Sequence, residues 1–314
     1  MSQPRRWIHW PGRGAGLILR TASSPYVFRP EQYLDLYRDT DIPMPDKEDC
    51  RFERLDEYNR HIRRLWNGQE EPFPDEMVRE ARRAYYAMLT YVDEKIGGLI
   101  DTLKECGMYE NTVIVFASDH GDLLGEKGMW DKRTYFEDSL RVPLLVAGPG
   151  IKKQCIQTAV SLVDLFPTFA DLAGSICDRS ELDGKSLAGG LAGGCIEEKP
   201  VLAEHYNERV PYPFRSAILG RMKYVHYPEA SDKDLLLDCA ADPLEQNNYI
   251  NDPAYAKDVD VLRQAATAGY DAKNIIRQAQ ESVRRRNFIQ SALNGSKVNW
   301  DYEPPYNAHS RYVR

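Results

Sequence analysis

Apolar residues recur along this chain in three rhythms, and each rhythm predicts a different element. Between Pro74 and Gly107, the residues Ala81, Tyr85, Met88, Val92, Ile96, Leu99 and Leu103 follow at three- and four-residue steps. That spacing lays one apolar stripe along a helix. Pro74 fixes φ at its start, Asp75 offers a capping carboxylate, and Gly107 is placed to close it in the left-handed conformation. Just beyond, Val113-Ile-Val-Phe-Ala117 is an unbroken apolar run, which predicts a strand buried on both faces, as in parallel sheets. Leu144 to Ala147 predicts a second strand, stopped by the turn Gly148-Pro149-Gly150. Ser161-x-x-Asp164 predicts a capped helix carrying Leu165, Phe166, Phe169 and Leu172, with Pro167 tolerable in its first turns.

After Gly184 the pattern shortens. Val201 to Glu204, Ser216 to Leu219, Lys223 to Tyr227 and Leu235 to Leu237 read as closely spaced strands separated by turn residues. A small antiparallel sheet follows from that spacing. Two helical stretches, about 253 to 267 and 272 to 293, and a Tyr- and Pro-rich tail come after it. Helices alternating with apolar strands, then a run of short strands, place the chain in the α/β class with an α+β appendage.

Composition narrows the field of partners. A chain of 314 residues can bury a large core. Its net charge of -7, with acidic and basic residues interspersed, indicates neither a nucleic-acid groove nor a polybasic membrane face. No stretch approaches the roughly 20 apolar residues that span a bilayer. The amino terminus lacks a secretory apolar region, since Ala15 to Leu19 is too short. The six cysteines, Cys50, Cys106, Cys155, Cys177, Cys195 and Cys239, form no Cys-x-x-Cys pair. Reduced thiols and a cytoplasmic location are the expectation.

The chemistry is concentrated where the first apolar strand ends. Asp119 and His120 follow the strand directly, and a Gly-rich loop, Gly121 to Gly128, then leads to Trp130 and Lys132. Open α/β sheets bind ligands at the carboxyl ends of their strands. A carboxylate and an imidazole there are either metal ligands or the cap of a turn. A divalent cation on Asp119 and His120, with Lys132 close by, suits an anionic ester such as a sulfate or phosphate. Glu126 and Lys127 are read as surface charges, and Arg141 as a buried ion pair fixing the loop.

This loop, with Tyr135-Phe-Glu137-Asp-Ser139-Leu-Arg141-Val-Pro143 behind it, resembles the sulfatase family of the alkaline-phosphatase superfamily. Pro25-Tyr26 through Tyr37, and Tyr85-Tyr86 through Gly97, are similar to further family segments. Asp242-Pro243-Leu-Glu245 is similar to the family's turn into its last region. Arg284-Arg285-Arg286 and Trp300-Asp301-Tyr302-Glu303-Pro304 are similar to the tail of choline-sulfatases. The resemblance implies the second half of a sulfatase-like sheet sandwiched by helices over residues 25–184, and a small carboxyl-terminal α+β subdomain over 185–314. Residues 1–24 form a leader that matches nothing in the family.

By that resemblance, Asp119 and His120 are metal ligands. Many members have Asp-Asn here and hold calcium; histidine suits a softer ion, so manganese or zinc joins calcium. Lys132 would contact a sulfate oxygen and offset charge as the leaving group departs. Glu204 and Glu208 resemble a stretch with two glutamates four apart, either of which would face a choline ammonium. His205, His226 and His309 have no partner pattern and are read as structural.

The family's nucleophile is a formylglycine made from Cys-x-Pro-x-Arg or Ser-x-Pro-x-Arg. Cys50-Arg-Phe-Glu-Arg54 has the ends of the cysteine form but carries Phe52 in place of proline, so the expectation is that the nucleophile is absent. The family's amino-terminal metal carboxylates are also absent. Thr21-Ala22-Ser23-Ser24 replaces its histidine-bearing segment. The expectation is a truncated or frameshifted choline-sulfatase-like hydrolase of a small sulfate ester, inactive alone. It would act as a homo-oligomer or together with a full-length homologue. A phosphonate monoester hydrolase or phosphodiesterase, and a non-catalytic remnant that binds such a homologue, are the alternatives.

Overall fold

The computed structural model describes residues 31–175, 178–206, 212–228 and 230–296. It also pairs two short strands, β1 (Ile8–His9) and β2 (Ala15–Gly16). Helix α1 (Glu31–Asp35) lies against the long helix α3, where the Tyr33 hydroxyl donates to Glu94 Oε2 at 2.5 Å. Its ring also meets Tyr91 edge-on at 5.5 Å. Helix α2 (Glu57–Asn67) starts at Asp56, whose carboxylate accepts from the Asn59 N–H. It stops at Gly68, which takes a φ of 72°. Helix α3 spans Asp75–Glu105, as the stripe predicts. Gly107 closes it at φ 65°, with the Met108 N–H donating to the Leu103 carbonyl at 2.9 Å. Asp75 does not cap the helix; it pairs with Lys47 at 2.8 Å.

Strand β3 (Ile114–Ala117) is followed by the short pair β4 (Leu123–Leu124) and β5 (Trp130–Asp131), then by α4 (Glu137–Leu140) and β6 (Leu144–Ala147). β3 and β6 pair antiparallel, with Phe116 opposite Leu145. This corrects the expectation of a parallel strand buried on both faces. Leu145 is 64% exposed and Phe116 is also exposed, because among the described residues nothing covers that face. Helix α5 (Leu165–Leu172) follows the predicted Ser161–Asp164 capping box. It buries Pro167 and Thr168 while Phe166, Phe169 and Leu172 face outward. The apolar pattern there is correct, but the described residues supply no layer to receive it.

Beyond the short α6 (Ala188–Leu191), the four predicted strands form one antiparallel sheet in the order β10-β9-β8-β7. They are β7 (Val201–His205), β8 (Phe214–Leu219), β9 (Met222–His226) and β10 (Leu235–Asp238). Helix α7 (Ala256–Thr267) packs Val259, Leu262 and Ala266 against Ala217, Met222, Tyr224 and Leu236. A second core joins Phe214, Val225, Tyr227 and Leu237 to Tyr58 and Ile62 of α2 and to Leu123, Met129, Tyr135 and Phe136. The segment between β3 and β6 is therefore anchored on the carboxyl-terminal sheet. Helix α8 (Ala272–Ser296) completes the described chain, and no described helix is long and apolar enough to cross a membrane.

Exposed apolar patches of this kind drive association. The variant Leu145→Lys/Phe169→Lys is expected to bind less of a hydrophobic dye and self-associate less in sedimentation. Its urea midpoint should move little, since neither side chain belongs to a core cluster.

Candidate active site

The polypeptide turns sharply where β3 ends. The Ser118 hydroxyl donates to the His120 carbonyl at 2.7 Å, and the Gly121 N–H donates to the Ser139 carbonyl at 2.8 Å. Only glycine is tolerated at 121: a Cβ there would lie 2.0 Å from the Asp138 carbonyl oxygen. α4 can therefore press its backbone directly onto the turn that carries His120.

His120 Nδ1 is 2.7 Å from the Gly121 carbonyl oxygen, which fixes a proton on Nδ1. The Nε2 lone pair is thereby left to accept, and Lys132 Nζ lies 2.6 Å from it. Asp119 Oδ1 is 3.8 Å from the same nitrogen, on a carboxylate that is 88% exposed. The three residues singled out from the sequence, Asp119, His120 and Lys132, thus meet in one place.

From Gly125 to Arg133 the backbone is forced into unusual conformations. The described non-glycine residues with positive φ are Lys127 (54°), Asp131 (76°), Arg133 (81°) and Glu245 (52°). The first three lie in this loop, and the fourth holds the segment behind it. Such strain persists only where the surroundings over-determine the backbone. α2 supplies part of that grip. Asn67 donates to the Gly128 carbonyl at 2.6 Å, Arg63 to the Lys127 carbonyl at 3.1 Å, and Tyr58 to the Arg133 carbonyl at 3.0 Å. α3 supplies the rest through Arg82, which reaches the Leu124 carbonyl at 3.1 Å and Glu126 at 2.5 Å.

These contacts correct the reading of Glu126 and Lys127 as surface charges. Lys127 is buried, with its ammonium 2.8 Å from Asp49 and in contact with the Leu244 carbonyl. It also lies 4.5 Å from the centre of the Phe136 ring. Among the described residues, Arg141 does not form the expected buried ion pair. Arg141 is exposed, and its backbone N–H donates to the Glu137 carbonyl at the end of α4.

Asp122 was missed from sequence because an acidic residue in a loop carries no distinguishing pattern. Burial, then the charge of Asp131, pushes its carboxyl up to about 6, against the pull of His120 and Lys132. Cys50 is buried, its thiol is pushed up by burial, and it donates to the Gly125 carbonyl at 3.4 Å. It has the surroundings of a packed thiol rather than of a nucleophile. The other described cysteines are free as well.

Glu204 sits on β7 and pairs with Arg215 across the sheet at 3.1 Å; Glu208 lies outside the described residues. His205, next to Glu204, places Nδ1 3.0 Å from the Tyr58 hydroxyl, which also donates to the Arg133 carbonyl. The end of β7 therefore reaches the loop of Lys132 through Tyr58. His226 pairs with Asp234 at 2.9 Å; His309 lies outside the described residues.

Asp119 Oδ1 and His120 Nε2, 3.8 Å apart, are donors of the kinds that a divalent cation of manganese or zinc type accepts. The Lys132 ammonium already stands against the imidazole lone pair as a cation would. Two donors make up part of a coordination shell. A different group of ligand-type side chains, Glu137, Cys239 and Glu245, lies within 4.8 Å of one another. The Lys223 ammonium is bonded to both of its carboxylates, at 2.6 and 2.8 Å. A lysine ammonium thus already occupies that cluster.

A model described as Sulfatase matches residues 21–175, and one described as N-sulphoglucosamine sulphohydrolase, C-terminal, matches 125–269. Choline-sulfatase of Rhizobium meliloti is 38% identical over 296 residues, covering 92% of this chain and 57% of that protein. Arylsulfatase K of Gallus gallus is 37% identical over 186 residues, 56% of this chain and 35% of that protein. The crystal structure of phosphonate monoester hydrolase of Agrobacterium radiobacter is similar with a TM-score of 0.62 at 26% identity, covering 75% of this chain and 52% of that one. The chain matches 57% of the length of the first of these relatives and 35% of the second.

Two expectations follow from the local geometry. Gly121→Ala should destabilise the fold by about 1–3 kcal/mol in urea melts, the usual cost of forcing an atom into a packed site. For Asp122, the folded carboxyl lies at about 6 against an ordinary 3.8, so the neutral form is favoured on folding. Its contribution is complete below about pH 3.8 and is lost as pH rises through about 6. Asp122→Asn should therefore flatten the pH dependence of stability across that window, as read by melts at a series of pH values.

Proposed function

The chain belongs to the sulfatase family, and on that premise we propose that Asp119, His120 and Lys132 are its contribution to a site that hydrolyses a small sulfuric ester, with choline sulfate as the preferred substrate. The observation that carries the reading is the convergence of the Lys132 ammonium, the outward imidazole lone pair and the Asp119 carboxylate at the exit of one strand. The similarity to a choline-sulfatase over 92% of this chain supports the choice of ester.

Asp119 and His120 would hold a divalent ion together with ligands from outside the described residues. When bound, such an ion supplies Lewis-acid activation of an oxygen nucleophile. This chain's own residues do the remaining work. The Gly121 carbonyl keeps the proton on His120 Nδ1, so that Nε2 faces the ligand. Lys132 presents a fixed positive charge that stabilises a departing oxyanion more than the neutral ester, which is differential binding of the transition state. The clamps from α2 and α3 hold the strained loop, so this charge is positioned before substrate arrives. Choline's ammonium offers no hydrogen-bond donor and needs a carboxylate or an aromatic face. Glu204 and Glu208 are the residues proposed to meet it, with Glu204 exchanging its bond to Arg215. No described residue is proposed as the nucleophile: the sequence does hold one Ser-x-Pro-x-Arg string, Ser2-Gln3-Pro4-Arg5-Arg6, which corrects the expectation that none occurs, but it lies outside the described residues.

One specific observation favours a second reading, phosphonate monoester hydrolysis: the structural similarity to such a hydrolase at a TM-score of 0.62. The exposed faces of β3, β6 and α5 support an accompanying reading, that a full-length homologue or a second copy packs there. Co-purification with such a homologue is the measurement for it.

The purified chain is expected to hydrolyse neither choline sulfate nor an aryl sulfate faster than its Lys132→Ala variant. Joined to the upstream part of the Rhizobium meliloti choline-sulfatase, with its formylglycine installed, it should hydrolyse choline sulfate. Lys132→Ala should then lower kcat/KM by about 10²–10³-fold. A fusion that turns over phosphonate monoesters in preference to sulfates would transfer the assignment to the second reading. Equal rates with and without Lys132 would remove that residue from the site.

A further inference from the structure

Lys223, the second residue of β9, is wholly buried, on a sheet that carries none of the three converging side chains. Its ammonium has three partners: the Tyr135 carbonyl at 2.9 Å, Glu245 Oε1 at 2.8 Å and Glu137 Oε1 at 2.6 Å. Burial opposes its charge, and the carboxylates of Glu245 and Glu137 outweigh that effect and hold it charged above its ordinary range. The second oxygen of Glu245 accepts from the Glu137 N–H at 2.7 Å. Residue 137 is thus gripped by both its backbone and its side chain.

Glu137 is the first residue of α4, and α4 is what His120 leans on. The Ser139 carbonyl receives the Gly121 N–H, and the Asp138 carbonyl occupies the place where any Cβ of residue 121 would be. The Gly121 carbonyl in turn fixes the proton of His120. One connected path therefore runs from Lys223 through Glu137, α4 and Gly121 to the imidazole, and every step is a hydrogen bond or a backbone contact.

We infer that Lys223, acting with Glu245 through Glu137, is a positioning residue for His120: it sets the tautomer and direction of the imidazole by holding α4 against Gly121. Ion pairing for its own sake is a weak reason to bury this ammonium, because well-packed apolar residues do as well or better energetically. Registry explains what stability does not. Glu245 adopts its strained φ of 52° within this network, and that strain makes sense if the alignment of α4 is what it secures. The importance of this role rests on the reading of His120 as a site residue, but its test needs neither metal nor substrate.

The test uses the full chain labelled with ¹⁵N at histidine, at about pH 8, with ring signals recorded by long-range proton–nitrogen correlation. The His120 signals are assigned by their loss in His120→Asn. The native chain should show a fixed Nδ1–H tautomer at His120. Glu137→Ala should abolish that signature and broaden the signals, while those of His205 and His226 stay in place, and Glu137→Gln should restore it. Lys223→Met/Glu245→Gln removes the ammonium and its buried counter-charge together, so it avoids stranding a buried carboxylate; it should act as Glu137→Ala does. An unchanged His120 in both folded variants overturns the inference. So does a shift of all three histidines together, which would mark a general loosening of the fold. Either failure leaves the sulfatase reading intact, because no catalytic quantity enters the measurement.

Discussion

One buried ammonium joins the two parts of this molecule. Lys223 lies in the carboxyl-terminal sheet, and its bonds to Glu137, Glu245 and the Tyr135 carbonyl extend that sheet's order into the segment before β6. A charge without water must find its full complement of partners, and here two of the three, the Tyr135 carbonyl and Glu137, lie in the segment that follows the loop carrying the candidate chemistry. The aromatic core around Tyr58, Phe214 and Tyr227 secures the same junction from the apolar side. The polar network sets its register and the apolar core sets its distance.

The loop between β3 and β6 shows what this anchorage permits. Lys127, Asp131 and Arg133 all hold positive φ within a few residues, a conformation that a free loop would relax. They are held by Asn67, Arg63 and Tyr58 from α2 and by Arg82 from α3. Lys132 projects from this frame onto His120. In the proposed reading, a cation placed so firmly would lose little entropy when an oxyanion arrives, as preorganised charges do.

β3, β6 and α5 have the opposite character. They are apolar enough for a core, yet Leu145, Phe166 and Phe169 face outward. The junction with the carboxyl-terminal sheet uses other surfaces, so these elements add little to either core cluster. Among the described residues nothing covers them. This agrees with relatives that are longer than this chain.

Much of the architecture was legible from the chain because it depends on local pattern. The stripe of α3, its glycine stop, the Ser161–Asp164 cap and the four short strands are decided by residues within a turn or two of one another. The order Asp119-His120 at a strand end, with Lys132 beyond a Gly-rich loop, was legible for the same reason. What the pattern could not show was pairing. An apolar run looks alike in a parallel or an antiparallel sheet, covered or bare, so the partner and exposure of β3 were misjudged. Charges were misjudged for a related reason. Whether Lys127 meets water or Asp49, and whether Arg141 finds a carboxylate, depends on residues brought together only by folding. The sequence alone determined which residues could do chemistry and which elements would form. Tertiary structure decided the His120 tautomer, the burial of Lys223 and the strain of the loop, because each is an interaction between groups distant along the chain.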